Sequence, residues 1–188
     1  MNQETPEALD RVAAEEALRG DASAFAALVE RHQSAVFACA FGITGNREDA
    51  ADATQETFLR LFRHLDQFDP ERPLRPYLMT IALNCARSVR RKTHPESGGE
   101  EGELIINLTA SDSPGPGHAL LAQERRHSVR QVIDALPAML REVCVLFYLN
   151  GCSCRETAGI LRTSEGAVRV ALHRARERLQ GSSLREWI

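Results

Sequence analysis

The chain has 188 residues, 23 basic and 26 acidic side chains, a net charge of −3 and 43% hydrophobic residues. That length accommodates one or two small domains with proper cores, and Pro and Gly punctuation between its helical patterns favours two. The totals argue against a uniformly basic coat, five cysteines among helical patterns do not make a disulfide framework, and no apolar run approaches the roughly 18 residues of a membrane span. With no signal peptide at its N-terminus, the chain is expected in the cytosol with reduced thiols.

The charge is unevenly spread. Residues 1–92 hold 12 basic and 14 acidic side chains, residues 93–118 hold none and 5, and residues 119–188 hold 11 and 7. An acidic connector thus joins a near-neutral first part to a basic last part. Lys92 is the only lysine, and arginine favours bidentate contacts to phosphates and bases.

Residues 1–20 are polar and Ala/Glu-rich, a short helix or a frayed lead-in. Asp21 is placed to cap a core-forming helix carrying Phe25, Leu28, Val29, Val36, Phe37 and Phe41, which ends between Gly42 and Gly45. Asn46 caps the next helix. Ala50, Ala53, Phe58, Leu61, Phe62 and Leu65 form its expected buried stripe, with Glu48, Asp52, Gln55 and Glu56 on or beside the polar side. Carboxylates near a helix start suit the helix dipole and also a basic docking partner. The segment 66–76, DQFDPERPLRP, has three prolines and reads as a loop. From Tyr77 a further helix buries Leu78, Ile81, Ala82, Cys85 and Val89, turns Asn84, Arg87, Ser88 and Arg91 elsewhere, and ends on Arg90, Arg91 and Lys92.

From Thr93 to about His118 the sequence is rich in Gly, Pro, Ser and Glu and cannot bury enough surface to fold alone, although the apolar patch 104–108 hints that it docks somewhere. Helix resumes near Ala119 with Val129, Val132, Ile133 and Leu136, and Pro137 breaks it. The next helix, Leu140 to Leu149, is almost wholly apolar and therefore central. Asn150-Gly151 ends it.

Ser153 to Leu179 then reads as a helix-turn-helix. Ser153 and Glu156 have capping-box spacing, and Ser164 caps the second helix. Val168, Leu172, Ala175 and Leu179 make one apolar stripe, while Gly166, Val170, His173 and Arg174 project the opposite way, with Arg169, Arg174, Arg176 and Arg178 around them. One side packs. The other has the chemistry of a helix in a DNA major groove, or of a solvated face on a helical hairpin.

Two stretches together resemble one family. DAADATQETFLRLFRHLDQFD (49–69), followed by YLMTIALNCARSVRR (77–91), is similar to the polymerase-binding and promoter-melting region of bacterial extracytoplasmic-function sigma factors. LPAMLREVCVLFYLNGCSCRETAGILRTSEGAVRVALHRARERL (136–179) is similar to their second promoter-recognising domain. The resemblance covers residues 21–92 and 119–181. It implies an all-α protein of two small helical domains, an N-terminal bundle (1–92) and a C-terminal four-helix unit with the helix-turn-helix (119–188), joined by an acidic flexible linker (93–118).

The implied function is non-catalytic: binding RNA polymerase core, directing it to a promoter and opening the −10 element. The resemblance places Asp52, Gln55 and Glu56 against a coiled coil of the large polymerase subunit. It places Asp69, Arg72, Leu74, Tyr77, Asn84, Arg87, Ser88 and Arg91 at the single-stranded −10 element, where a base is expected to flip into a protein pocket. Gly166, Arg169, Val170, His173 and Arg174 would read the −35 duplex. No metal or cofactor is implied. An anti-sigma factor is the implied regulator, holding the otherwise cytoplasmic chain inactive, in some members at the inner membrane.

The sequence departs from the family where Leu74 and Tyr77 replace a usual Phe and Trp, where Ser88 replaces an acidic or amide residue, and where Arg162 replaces the glycine of the turn. Ala171 replaces a common basic residue and Val170 a small polar one, which shifts base readout toward apolar contact, as with thymine methyls. Three other readings compete. A two-component-type regulator requires an alternating strand–helix receiver that residues 1–92 do not show. A metal or redox switch at Cys152-x-Cys154 lacks paired zinc-ligand spacing, and Cys39, Cys85 and Cys144 lie on apolar stripes as small core residues. An enzyme lacks a nucleophile–base ordering, a phosphate loop and paired carboxylates.

Overall fold

The computed structural model describes residues 5–93 and 136–180, and every regular element among them is helical. The expected linker beyond Thr93, its apolar patch and the helix expected from Ala119 lie outside the described residues.

The helix starts are set by short polar side chains that satisfy free backbone N–H groups. Helix α1 (Pro6–Leu18) begins with Thr5 Oγ1 accepting from the Ala8 N–H, with Pro6 at its first position. Asp21 accepts from the Ser23 and Ala24 N–H groups at 2.8 and 3.3 Å to open α2 (Ala22–Thr44). Asn46 does the same for α3 (Arg47–Arg63) through the Glu48 N–H at 2.8 Å. Gly45, with φ of 72°, closes α2 in the left-handed region that a glycine adopts without a Cβ penalty.

Helices α2, α3 and α4 (Leu74–Thr93) pack around Leu28, Val36, Cys39, Ala53, Leu61, Leu78, Met79 and Leu83, all essentially inaccessible. Helix α1 is fastened to α2 by a charged cluster: Arg31 Nη1 donates to Asp10 Oδ1 at 2.5 Å, and His32 Nε2 lies 2.8 Å from Asp10 Oδ2. Burial works to raise the Asp10 pKa, but the hydrogen bonds from His32 and Arg31 outweigh it and hold the carboxyl below its ordinary value. Arg11 reaches forward to Glu71 at 3.0 Å, which ties α1 to the loop before α4.

Phe62, expected on the buried stripe of α3, is 64% exposed. It meets Phe25 edge-on at 5.1 Å. Leu61 and Phe62 point about 100° apart on a helix, and Leu61 holds the core-facing position. The proline-rich segment is shorter than expected as a loop. Leu65–Gln67 forms a 3-10 turn, and α4 begins at Leu74, so Pro76 lies within its first turn, where the missing N–H has no intrahelical partner to lose.

The apolar helix after Pro137 is central, as expected, but it is not one α-helix. Helix α5 (Ala138–Cys144) continues as a π-helical turn, Val145–Leu149. The Asn150 N–H and Nδ2 both donate to the Val145 carbonyl at 3.1 Å, ending the widened turn before Gly151. Helix α6 (Cys154–Leu161) and α7 (Glu165–Gln180) follow and bury Leu136, Leu140, Val143, Val168, Leu172, Ala175 and Leu179 in a second core. Val145, Leu146, Cys152 and Ile160 face away from that core and join the N-terminal one.

Candidate nucleic-acid and polymerase interfaces

The C-terminal interface is built from its turn outward. Ser153 Oγ accepts from the Glu156 N–H at 3.1 Å, and Glu156 Oε2 accepts from the Ser153 N–H at 2.8 Å, a complete capping box. Arg162 ends α6 at φ 53° and ψ 47°, the left-handed conformation that its place in the turn predicts, and the Thr163 N–H returns to the Ala158 carbonyl at 2.9 Å. Ser164 Oγ then accepts from the Ala167 N–H at 3.1 Å and starts α7.

Gly166, Arg169, Val170, His173 and Arg174 are all exposed, and their spacing puts them on one face of α7. A Cβ on Gly166 would meet nothing nearer than Ser164 Oγ at 3.9 Å, so this end of the face stays shallow without a packing requirement. Val170 is half exposed at the centre of the face. Arg169 Nη2 donates to Glu165 Oε2 at 3.1 Å, an exposed pair that a phosphate can displace. Arg176 is anchored to the protein, donating from Nε to Tyr148 Oη at 2.7 Å and lying over that ring. Ala171 is buried on the packing side, so the missing basic side chain there does not alter the exposed face and the expected change of readout rests on Val170 alone.

The candidate −10 residues are less uniform. Asp69, Arg72, Asn84 and Arg91 are exposed, whereas Tyr77, Arg87 and Ser88 are half-buried. Tyr77 lies against Phe68 with ring centroids 5.1 Å apart. Leu74 is only 2% exposed, its side chain lying in the N-terminal core, so it anchors the start of α4 and does not face a DNA strand. Arg87 is held by Glu142 of α5, with Nε and Nη2 donating to its two carboxylate oxygens at 2.6 and 2.5 Å.

On α3, Asp52 and Gln55 are exposed, and Glu56 accepts from Arg60 Nε at 2.6 Å, which lowers the Glu56 pKa. Leu59 and Phe62 extend the same face one and two turns further and are both exposed. Sequence periodicity places Phe62 in the core and singles out nothing at Leu59, whereas both are exposed. The signal for Leu59 was its position seven residues after Asp52, on the polar side.

Cys39, Cys85, Cys144 and Cys152 are buried and Cys154 half-buried, all as free thiols. Burial pushes Cys39 and Cys144 up to about 12 and Cys152 up to about 11, so these three are protonated and poorly nucleophilic at neutral pH. Among the described residues no three His, Cys, Asp or Glu side chains are grouped to hold a metal, and no helix is long and apolar enough to cross a membrane.

The family description for sigma-70 region 2 matches residues 28–95, and that for sigma-70 region 4 matches residues 126–179. The chain is 32% identical over 168 residues to the ECF RNA polymerase sigma factor SigW of Bacillus subtilis (strain 168), covering 86% of this chain and 90% of the relative. It is 37% identical over 181 residues to the sigma factor CnrH of Cupriavidus metallidurans, covering 93% and 94%. Among solved structures, CnrH in complex with the cytosolic domain of CnrY superposes at a TM-score of 0.70 with 31% identity, over 92% of this chain and 96% of the other. RpoE of Bartonella quintana, in complex with the anti-sigma factor NepR, superposes at 0.65 with 25% identity, over 84% and 94%.

The chain therefore belongs to the sigma-70 family of bacterial RNA polymerase sigma factors, in its extracytoplasmic-function (ECF) group. It directs promoter-specific transcription initiation by binding polymerase core and promoter DNA.

Proposed function

We propose the following division of labour within this sigma factor. Residues 1–92 bind polymerase core and open the −10 element, residues 93–118 link, and residues 119–188 read the −35 element. Asp52, Gln55 and Glu56 dock on core, with Leu59 and Phe62 supplying apolar area beside them. Asp69, Arg72, Tyr77, Asn84, Arg87, Ser88 and Arg91 hold the melted −10 strand, and Leu74 supports them from the core. Gly166, Arg169, Val170, His173 and Arg174 enter the major groove. The observation that carries the reading is the α7 face: five residues assigned to one DNA element are all exposed on a helix whose other side is buried.

The chain is not an enzyme and works in the cytoplasm. Its regulator is an anti-sigma factor, as in the RpoE complex, and the inner membrane is reached only through such a partner. The test is reconstitution with bacterial core polymerase on a promoter library. Core binding together with promoter-dependent transcripts is the expected result, and folded protein that gives neither overturns the reading.

A further inference from the structure

Two adjacent residues of α1 serve different partners. Asp10 is buried and engaged on both carboxylate oxygens, with Arg31 Nη1 donating to Oδ1 and His32 Nε2 lying 2.8 Å from Oδ2, which fixes the rotation of α1 on α2. The next residue lies about 100° round the helix. That turn carries Arg11 to the loop before α4, where its Nη1 donates to both carboxylate oxygens of Glu71 at 3.0 and 3.1 Å. Glu15, one turn further along α1, lies 3.8 Å from Arg11 Nε and steadies the guanidinium.

Glu71 sits between Asp69 and Arg72, two of the residues proposed to hold the melted −10 strand. The bonds among these three are local: Asp69 Oδ1 accepts from the Glu71 N–H at 3.1 Å, the Arg72 N–H donates to the Asp69 carbonyl at 3.0 Å, and the Arg72 and Asp69 side chains lie 3.4 Å apart. They shape the turn without fastening it to another helix. The Arg11–Glu71 pair does fasten it. The Glu71 side chain is 73% exposed, and an unpaired carboxylate there would repel the phosphates of a strand held by its neighbours. Arg11 offsets that charge, so one pair both steadies the turn and makes it acceptable to a polyanion. Glu71 lies within the residues matched to sigma-70 region 2, 28–95, and Arg11 lies before them. We infer that Arg11 is a positioning residue for the −10 strand, acting through Glu71, which makes α1 part of the promoter-reading apparatus. The inference rests on the proposed −10 role of Asp69 and Arg72.

The test uses the full chain bound to bacterial core polymerase on a promoter library randomised across the −10 element, with melting temperature measured on the free chain. Arg11→Gln is expected to lower open-complex formation about threefold at low salt, and by less as salt rises, because the pair is exposed. It should also flatten base preference within the −10 element while −35 preference, core affinity and melting temperature keep their wild-type values. Arg11→Lys should retain most of the wild-type selection, since the charge opposite Glu71 remains. In a Glu71→Gln background, Arg11→Gln should add nothing. A loss that persists in that background means that Arg11 meets DNA itself, and overturns the route through Glu71. A lower melting temperature with base preference intact gives Arg11 a purely structural part and also overturns the inference. Asp69→Ala and Arg72→Ala separate the inference from the reading beneath it. If both weaken −10 selection and Arg11→Gln does not, the inference alone falls; if neither does, the −10 assignment of this turn falls and takes the inference with it.

Discussion

The two regions proposed to face DNA in this sigma factor are exposed in opposite ways. On α7 the proposed −35 residues all stand clear of the protein, and their positions follow from one helix, one cap and one turn. Around α4 the proposed −10 residues are mixed: Leu74 is in the core, Tyr77 is packed on Phe68, and Arg87 is held by a carboxylate from the other half of the chain. A duplex groove can be read by one rigid helix face, whereas an unstacked strand requires a shaped pocket whose walls belong to the core. The proposed −10 region is therefore inseparable from the stability of its domain, and the proposed −35 face is separable.

That contrast is broken first at Leu74. Truncation to alanine should cost about 2–5 kcal/mol, the usual range for a buried leucine that leaves a cavity. Thermal unfolding should fall by roughly 5–15 °C, and −10 binding should be lost in proportion to unfolding. An unchanged melting temperature with weakened strand binding would return Leu74 to the DNA surface.

Acid should separate the regions next. Asp10 has a lowered pKa in the folded state, so its contribution is fully present above the ordinary carboxylate value of about 4 and is lost as pH falls through the lower, folded value. The gap in urea midpoint between wild type and Asp10→Asn is therefore expected to be largest near neutral pH and to close in strong acid. A gap that is constant with pH would show that Asp10 stabilises through shape and not through its charge. The ion pairs of α7, Arg169–Glu165 and His173–Glu177, lie within the helix and are exposed.

On the separable side, Arg174→Ala should weaken −35 duplex binding by about 1–3 kcal/mol, roughly 5- to 150-fold, with no change in core binding or melting temperature. Equal loss of core binding would mean that α7 is not a dedicated DNA face. Val170 sharpens the same point at a single methyl. Replacing thymine by uracil at one −35 position should weaken wild type about threefold and leave Val170→Ala unaffected, because the thymine methyl is the apolar group on the major-groove edge. Sensitivity at no position would leave Val170 with no part in readout.

What was legible in the sequence divides along the same line. The caps at Asp21, Asn46, Ser153 and Ser164 were readable because capping is decided within three or four residues. The α7 stripe was readable because one period describes a helix with one buried side. Phe62 and Leu59 were not, since an apolar residue next to a core position is placed inside or outside only by how far the neighbouring helix reaches. The prolines predict a loop through Leu74, but helix α4 starts there, three residues before Tyr77, and carries the Leu74 side chain into the core. Arg87 and Glu142 are 55 residues apart, and no local pattern joins them. The resemblance puts Ala171 at a groove position, whereas its place beside Leu172 and one turn from Val168 and Ala175 puts it on the packed side.

The smallest effect tests whether the −35 face is rigid for local reasons alone. Arg162 adopts φ 53°, a conformation that costs a residue with a Cβ about 1 kcal/mol relative to glycine. Glycine there removes that strain but gains freedom in the unfolded chain, so Arg162→Gly should stabilise by about 0.5 kcal/mol, a rise of one or two degrees in melting temperature. The side chain is exposed and off the α7 reading face, so −35 affinity should be unchanged. Arg162→Ala keeps the Cβ and should match wild type in stability. If glycine instead destabilises the chain, the arginine side chain makes a contact that outweighs its backbone strain, and the angle between α6 and α7 is then set by tertiary packing, as the −10 region is, and not by the turn.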